Sequence, residues 1–305
     1  MALKNLRVVY NNLADLPTTT ISASSAQATT PVTNLTKDQK GLVWRSSINT
    51  AAATTSTAYL LVSLAASTSV NSLILPYTNL SSAAVISVTA YAAVPTFGGT
   101  IAAPTVVGTA GTSTGNISCC LWNTLALSAW GTDPIASNTY AYGGGTCATV
   151  WFPTAITSRY FVVKIVDTFT SKTNSYIEAS RLILGTYWSP KYNTGYGMST
   201  TQVDLSTHDR TESGDLVTQR GPRFNKLNFD LGFLEQADRR ELTKIMLGNG
   251  LPKPIFVSLF PANGTTAAQL EMERAHQIYG KFMSLPGVSY SMLDTYATQI
   301  ELEEV

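Results

Sequence analysis

The sequence has little charge, and that charge is unevenly spread. Its 305 residues include 20 Lys and Arg and 19 Asp and Glu, so 13% are charged, against about 25% in a typical soluble domain. Asp133 is the only charged residue between Arg45 and Arg159, whereas residues 189–305 hold 25 of the 39 charges. A chain of this length makes one large or two ordinary domains, and a compositional step near its middle favours two.

A basic run is also lacking, and the formal net charge is only +1. Binding to a phosphate backbone needs a positive patch, so we expect no nucleic-acid partner. No stretch reaches the roughly 20 apolar residues that cross a bilayer, which predicts no membrane insertion. Residues 1–13 lack the apolar core of a secretory signal, so we expect the chain to work or assemble in the compartment where it is made.

Cysteine and histidine are scarce. Cys119, Cys120 and Cys147 form no CxxC pair and cannot all pair among themselves, which argues against a disulfide framework and a zinc site and predicts small buried thiols. The two histidines, His208 and His276, show neither HExxH nor HxH spacing. We therefore expect no bound metal and no cofactor.

Catalytic motifs are missing as well, since the chain contains neither a GxSxG nor a GxxxxGK[ST] segment. Four acidic residues do surround His208, and such a group could support general acid–base chemistry or bind calcium. A solvated loop between two strands also explains them, and we favour it. The chain is therefore expected not to be an enzyme; the four acids are Asp204, Asp209, Glu212 and Asp215.

What the first half does contain is short runs of β-branched and apolar residues, separated by Ser, Thr, Asn, Gly and Pro. This alternation is typical of an all-β sandwich or barrel. A low-complexity insert rich in Gly, Thr, Ala and Ser covers about 93–145. The predicted strands are 59–64, 70–75, 84–91, 146–152, 160–167 and 176–184.

Several segments of this half resemble a discoidin domain, the factor 5/8 type C or galactose-binding-like family. The resemblance implies an eight-stranded jelly roll with two strands in its first hairpin, which binds glycans, lipid head groups or proteins through loops at one end. The segments that carry it are Asn34-Leu-Thr-Lys-Asp38, Val43-Trp-Arg-Ser46, Tyr59-Leu-Leu-Val-Ser-Leu64, Val70-Asn-Ser-Leu-Ile-Leu75, Arg159-Tyr-Phe-Val-Val-Lys-Ile165 and Ile177-Glu-Ala-Ser-Arg-Leu-Ile-Leu-Gly185.

A glycan site in such a roll would need aromatic faces for the sugar ring and planar polar groups for its hydroxyls. The insert offers both. The same aromatic residues could instead belong to the core or to a subunit interface, where Trp and Tyr are enriched. The candidates for glycan binding or an interface are Trp122, Trp130, Asn138, Tyr140 and Tyr142.

The second half follows an aromatic, Gly- and Pro-bearing connector after Gly185, so we place one domain at 1–188 and another at 189–305. Its one predicted helix, 234–247, has Leu242, Ile245 and Met246 on a single face and a Gly-Asn-Gly stop. A β-sandwich flanked by that helix is the expected packing. The predicted strands are 201–205, 224–231, 254–260, 277–283 and 294–304.

The order of these elements resembles the tail-tube fold of tailed bacteriophages, in particular the ring-forming domain of distal tail or baseplate proteins. A ring needs one face to complement a different face of the next copy, and charges of both signs can set that orientation. The alternating strand with Tyr296, Ile300 and Leu302 could pair with a neighbouring sheet edge. The charged interface candidates are Arg220, Arg223, Lys226, Glu301, Glu303 and Glu304.

Together these features predict a mainly β structural protein of a phage tail tip or baseplate, with the discoidin-like roll projecting from a ring. The expected partners are further copies, in a hexamer, and the tail tube, baseplate hub and fibres. The expected location is the virion tail tip, after synthesis in the host cytoplasm. The alternative is a receptor-recognition module that binds host cell-surface polysaccharide.

Overall fold

The protein is mainly β, as predicted. The computed structural model describes residues 4–47, 55–118, 140–141, 145–168, 176–262, 267–292 and 294–305. Its strands are β1 (Arg7–Val9), β2 (Thr20–Ala23), β3 (Trp44–Arg45), β4 (Thr55–Thr78), β5 (Val85–Tyr91), β6 (Thr96–Gly99), β7 (Pro104–Val107), β8 (Ala110–Ser113), β9 (Ile117–Ser118), β10 (Thr146–Thr168), β11 (Glu178–Ala179), β12 (Ile183–Gly185), β13 (Tyr187–Trp188), β14 (Ser199–Asp204), β15 (Thr207–Arg210), β16 (Leu216–Gln219), β17 (Arg223–Leu234), β18 (Ile255–Ser258), β19 (Gln277–Phe282), β20 (Ser289–Met292) and β21 (Thr295–Glu304).

Within the described residues two α-helices accompany them, α1 (Gln236–Asn249) and α2 (Ala267–Ala275), where one flanking helix was predicted. Helix α1 begins two residues later than predicted, because Leu234 still pairs in β17. Helix α2 is only nine residues long and buries Leu270 and Glu273, a pattern too short to give a helical period. Neither helix is long and apolar enough to span a bilayer.

The first half is built on two very long strands, β4 with 24 residues and β10 with 23, which pair along their length. The predicted strands 59–64 and 70–75 are both part of β4, and the predicted strands 146–152 and 160–167 are both part of β10. The expected first hairpin is therefore one continuous strand. The residues between 64 and 70 include no Gly, Pro, Asp or Asn, so no strong strand breaker ends β4 there. In β10 the predicted break contains Pro153, and it coincides with a register shift between Trp151 and Ile156.

Both ends of these strands pack into one core. Leu60 and Leu75 lie at opposite ends of β4, yet they belong to the same buried cluster. The same is true of Val150 and Val163 in β10. The strands therefore bend so that one segment pairs with β2 and β5 while the other pairs with β12, which wraps the sheet around a single core as a roll.

The second half forms another antiparallel sheet, in the order β13-β1-β18-β19-β21-β17-β14. Along β17 the residues Leu227, Phe229 and Leu231 are buried, and Leu242 and Ile245 of α1 belong to the same cluster. Its first strand by sequence is β1, which lies in the range 1–188 assigned to the other domain.

The roll is consequently an insertion in the second sheet. The chain passes from β1 into the roll and returns through β13, and these two strands pair, with Val9 opposite Tyr187. Side chains from both halves share a further buried cluster, including Val9, Ile74 and Phe256. The two halves thus meet at an apolar interface, which we call the seam and define by this cluster. It lies beside β1 and β13, where the chain enters and leaves the roll.

Candidate assembly site

The predicted glycan residues are only partly within the described structure. Trp122, Trp130, Asn138 and Tyr142 lie outside the described residues. Tyr140 is buried, and its hydroxyl donates to Glu178 Oε1 at 2.8 Å.

The burial of Tyr140 contradicts its predicted role in glycan binding, because its ring is not accessible to a ligand in solvent. Its centroid lies 6.1 Å from that of Tyr77, in the seam cluster. Burial also raises the pKa of the Tyr140 hydroxyl well above its ordinary value, and the neighbouring Glu178 carboxylate adds to this. Tyr140 is therefore a packing residue of the seam.

Most of the predicted interface charges are paired within the chain. Arg223 Nε lies 2.6 Å from Asp204, and Lys226 Nζ lies 3.0 Å from Glu303. Glu304 accepts from Lys40 Nζ at 2.9 Å. These carboxylates and cations already satisfy one another, so they are not a free mixed-sign surface. Arg220 and Glu301 are exposed.

The predicted edge strand is not an edge. β21 lies inside the sheet: β17 pairs with one side of it, and on the other side β20 pairs with Thr295–Ala297 and β19 with Leu302–Glu304. Ile300 and Leu302 point into the core, and Tyr296 packs against that core. The hypothesis that this strand pairs with another copy was therefore wrong. The open end of the sheet is β14, which pairs with β17 alone among the described strands.

β14 leads into a long hairpin, which we call the arm and define as residues 199–223. Beyond β14, β15 and β16 pair with each other, and all eight of their residues are exposed. Three apolar side chains of the arm face solvent: Leu205, Leu216 and Val217, with 54%, 56% and 53% of their surface exposed. An isolated two-stranded hairpin is only marginally stable in water, so contact with another protein surface would stabilise the β15–β16 hairpin.

The base of the arm is held closely. Gly221 crosses the Leu205 backbone so tightly that a Cβ would lie 2.3 Å from the Leu205 carbonyl carbon. The Gly221 amide donates to Ser206 Oγ at 3.0 Å. Hydrogen bonds from Ser206, together with Arg223, lower the pKa of Asp204 to about 2, so this carboxylate is ionised at neutral pH.

The acidic residues around His208 lie along this arm and not in a cleft. His208 Nδ1 is 2.8 Å from Thr218 Oγ1 across the ribbon, and Asp215 accepts from Ser213 Oγ at 2.9 Å. No three His, Cys, Asp or Glu side chains are grouped to hold a metal in the part of the chain that the structure describes. The arrangement offers pairing groups and exposed apolar side chains.

The arm was not predicted from the sequence. The segment was interpreted as a solvated loop between two strands, because His, Asp and Arg in β15 conceal the alternation of a strand. The sequence did contain one signal for a hairpin, the turn-forming residues Ser213-Gly214-Asp215 between the segments Thr207–Arg210 and Leu216–Gln219. In the structure Gly214 adopts φ +89°, a turn conformation that favours glycine.

The seam that fixes the roll to the second sheet is strongly polar at two places. Arg181 donates from Nε to Tyr279 Oη at 3.0 Å and pairs through Nη2 with Asp15 and Asp38, at 2.6 and 3.1 Å. Because Arg181 and Asp38 belong to the roll and Tyr279 to β19, this network ties the two halves together. The pKa of Tyr279 is raised, chiefly by burial.

The second place is the carboxylate of Glu273, which α2 carries into the seam. It accepts from Trp151 Nε1 at 2.7 Å, Ser258 Oγ at 3.0 Å and Thr149 Oγ1 at 3.2 Å. Burial raises the pKa of Glu273.

Nearby, Arg7 lies over the rings of Tyr187 and Trp151, with Cζ 4.2 and 4.8 Å from their centroids. The roll is therefore attached through buried charged groups as well as through apolar contacts.

No protein-family model matches the chain, and no curated protein matches it. Among solved structures it is similar to chitosan-binding module 1 of a chitosanase/glucanase from Paenibacillus sp. IK-5, with 16% identity and a TM-score of 0.33 over 58% of this chain and 99% of that one. It is also similar to the family 32 carbohydrate-binding module of C. perfringens NanJ in complex with galactose, with 15% identity and a TM-score of 0.33 over 60% and 99%.

A third similar structure is a family 32 module from a family 31 glycoside hydrolase of Clostridium perfringens, with 12% identity and a TM-score of 0.34 over 56% and 92%. The solved structures that the chain resembles here are thus carbohydrate-binding modules, and the resemblance extends over little more than half of its residues.

Proposed function

We propose that this protein is a structural component of a bacteriophage tail tip or baseplate, and that its second sheet assembles with further copies into a ring. The roll projects from that ring. Under this proposal its other partners are the tail tube, the baseplate hub and the tail fibres, its location is the virion, and it catalyses no reaction.

The observation that carries the proposal is the arm. It extends the open end of the sheet, exposes three apolar side chains, and has backbone groups on β14 that no other described strand pairs. Exposed strand edges of this kind readily pair with another chain. The other end of the sheet, β13, is only two residues long, so the two ends differ. Contact between unlike surfaces generates a ring when the rotation closes.

The order of elements in the second half supports the same proposal. A strand, a charged helix, a glycine turn, an apolar strand and a final acidic strand follow one another as β17, α1, Gly248-Asn-Gly250, β18 and β21, with β19 between the last two, which is the order that carried the resemblance to the tail-tube fold. The strong attachment of the roll at the seam suits a projecting domain that must keep its orientation in a particle.

The first test is the assembly state of the full chain. We expect light scattering and negative-stain electron microscopy to find closed rings, hexameric in copy number, with a central channel. The triple variant Leu205→Ser/Leu216→Ser/Val217→Ser should lose the rings and remain monomeric, because it removes the apolar contacts of the arm. Its circular dichroism spectrum should match that of the parent, since more than half of the surface of each of these side chains is exposed in the monomer.

The matched control is Val107→Ser in the exposed β6–β7 hairpin of the roll, where 63% of the valine surface is exposed. This variant should assemble like the parent. A parent chain that is monomeric at every concentration, or a triple variant that still forms rings, would contradict the proposal.

A further inference from the structure

A second surface of the ring-forming half has the character of a ligand site. It is a groove of about 640 Å³ between the connector, the end of β17 and the turn before β21. We call it the aromatic groove and define it by Tyr192, Phe233, Glu235, Gln236, Asp294 and Thr295. None of these residues was among those predicted to bind a glycan or another copy.

A β-bulge turns Phe233 outward into this groove. Leu231 pairs with Thr298 and Leu234 pairs with Tyr296, so β17 has one residue more than β21 between these pairs. Strict alternation would have placed Phe233 in the core with Leu231. The bulge buries Leu231 and Leu234, each at 1%, and leaves 59% of Phe233 exposed. Bulges often re-aim a side chain beside a functional site.

Tyr192 provides the second exposed ring, with 49% of its surface accessible. Its neighbour Lys191 is fixed by an ion pair with Glu235 and by a hydrogen bond from its backbone amide to Asp238 Oδ2 at 3.1 Å. The Lys191 ammonium lies 5.4 Å from the Tyr192 ring centroid. The connector is thereby anchored to α1, and Tyr192 is held at the edge of the groove.

Planar polar groups accompany the two rings. Glu235 and Asp294 contribute carboxylates, Gln236 an amide and Thr295 a hydroxyl. The centre of a protein–protein interface is depleted of charge, so two carboxylates in the lining do not suit a subunit contact. Aromatic rings beside carboxylates and amides are the groups that a sugar requires, because the rings cover its C–H face and the polar groups accept from its hydroxyls.

We infer that the aromatic groove is a carbohydrate-binding site for an uncharged hexose oligosaccharide, with Phe233 and Tyr192 stacking on sugar rings. Because Lys191 compensates the charge of Glu235, Asp294 supplies the net negative charge of the lining, and we expect uncharged sugars to bind more tightly than a uronic or sialic acid. This inference stands independently of ring formation, since it rests on the bulge and on the composition of the groove.

The test is binding of the full chain to an array of uncharged hexose and N-acetylhexosamine oligosaccharides, with hexagalacturonate as the acidic probe. The sugar that binds best is then titrated by calorimetry against Phe233→Ala and Tyr192→Ala. Each variant should bind at least about tenfold more weakly, which corresponds to about 1.4 kcal/mol. Hexagalacturonate should bind more weakly than the best uncharged sugar.

The matched control is Tyr196→Ala, which removes a fully exposed tyrosine of the same connector that does not line the groove. It should bind like the parent, and all three variants should unfold at the parent's temperature. Light scattering on the same samples separates this inference from ring assembly. The inference is overturned if no uncharged sugar binds, if binding survives both groove variants, or if those variants lose assembly but keep the sugar.

Discussion

At the scale of single residues, Glu273 shows how burial controls a carboxylate. It is 2% exposed and accepts hydrogen bonds from three side chains of the seam, but burial still outweighs them and raises its pKa. The guanidinium of Arg7 lies close enough to Glu273 for the two charges to interact, although burial lowers the pKa of Arg7. Ionisation of Glu273 is therefore less favourable in the folded protein than in the unfolded chain.

This predicts an unusual pH dependence. A carboxyl group with a raised pKa in the folded state binds its proton more tightly there, so its contribution to stability is greatest below the ordinary pKa and is lost as the pH rises through the raised one. Glu273→Gln keeps most of the hydrogen bonds and removes the charge. In urea titrations its free energy of unfolding, relative to the parent, should rise as the pH increases above 4.5, the ordinary pKa of the group.

The control is Glu271→Gln, two residues earlier and exposed on the same helix, which should show no such trend. Glu273→Ala should instead destabilise the protein at every pH by about 3–5 kcal/mol, because the buried donors Trp151 and Ser258 lose their acceptor. A parallel pH dependence in the parent and Glu273→Gln would show that this carboxylate is not the group responsible.

Residue roles were the part of this protein least predictable from sequence. Tyr140 was assigned to a loop, but the seam buries it against Glu178. Arg223 and Lys226 were assigned to an interface, but their partners, Asp204 and Glu303, lie on adjacent strands. In each case the decisive contact joins residues far apart in the chain, and composition does not encode such contacts.

At the scale of elements, the arm depends on one glycine. Gly221→Ala would bring a methyl group within 2.3 Å of the Leu205 backbone, so the base of the arm must open. Overpacking of this kind costs about 1–3 kcal/mol, which raises the population of the open arm roughly fivefold or more. Trypsin should therefore cleave faster after Arg210 and Arg220 in this variant.

Gly195→Ala is the matched control, because a Cβ there meets nothing within 4 Å. It should be cleaved at the parent's rate, and both variants should unfold at the parent's temperature because β15 and β16 of the arm are exposed along their whole length. Equal cleavage of Gly221→Ala and the parent would mean that the arm is already open.

Elements with a clear period were predictable, while their ends and partners were not. The strands at 85–91, 255–258 and 277–282 and the helix at 236–249 lie within two or three residues of their predicted positions. Long β4 and β10 were divided in the prediction because alternation weakens where Ala, Ser and Thr replace larger residues. Short β1 has only three residues, and its place in the second sheet depends on pairing with β18.

At the scale of the whole molecule, the first strand determines whether the second sheet is complete. β1 lies between β13 and β18, and its Val8 and Val9, together with the preceding Leu6, are buried against neighbouring strands. Removing residues 1–11 should cost on the order of 5–9 kcal/mol from these side chains alone, which is comparable to the total stability of a domain. The shortened chain should lose the order of its second sheet.

Hydrogen exchange measured by mass spectrometry tests this prediction. The amides of Ile255–Ser258, which pair with β1, should lose protection in the shortened chain. Those of Val85–Tyr91 in the roll should keep theirs and serve as the internal reference. Unchanged protection of Ile255–Ser258 would show that the second sheet is stable without its first strand.

The pairing of Val9 with Tyr187 has a further consequence. Because the chain leaves the second sheet beside the point where it returns, the strand order of that sheet does not depend on what lies between the two residues. A different domain, or a short turn, could occupy the same position if the apolar side chains of the seam were replaced by polar ones. We therefore expect the second sheet to keep its strand order when the roll between β1 and β13 is replaced by another domain.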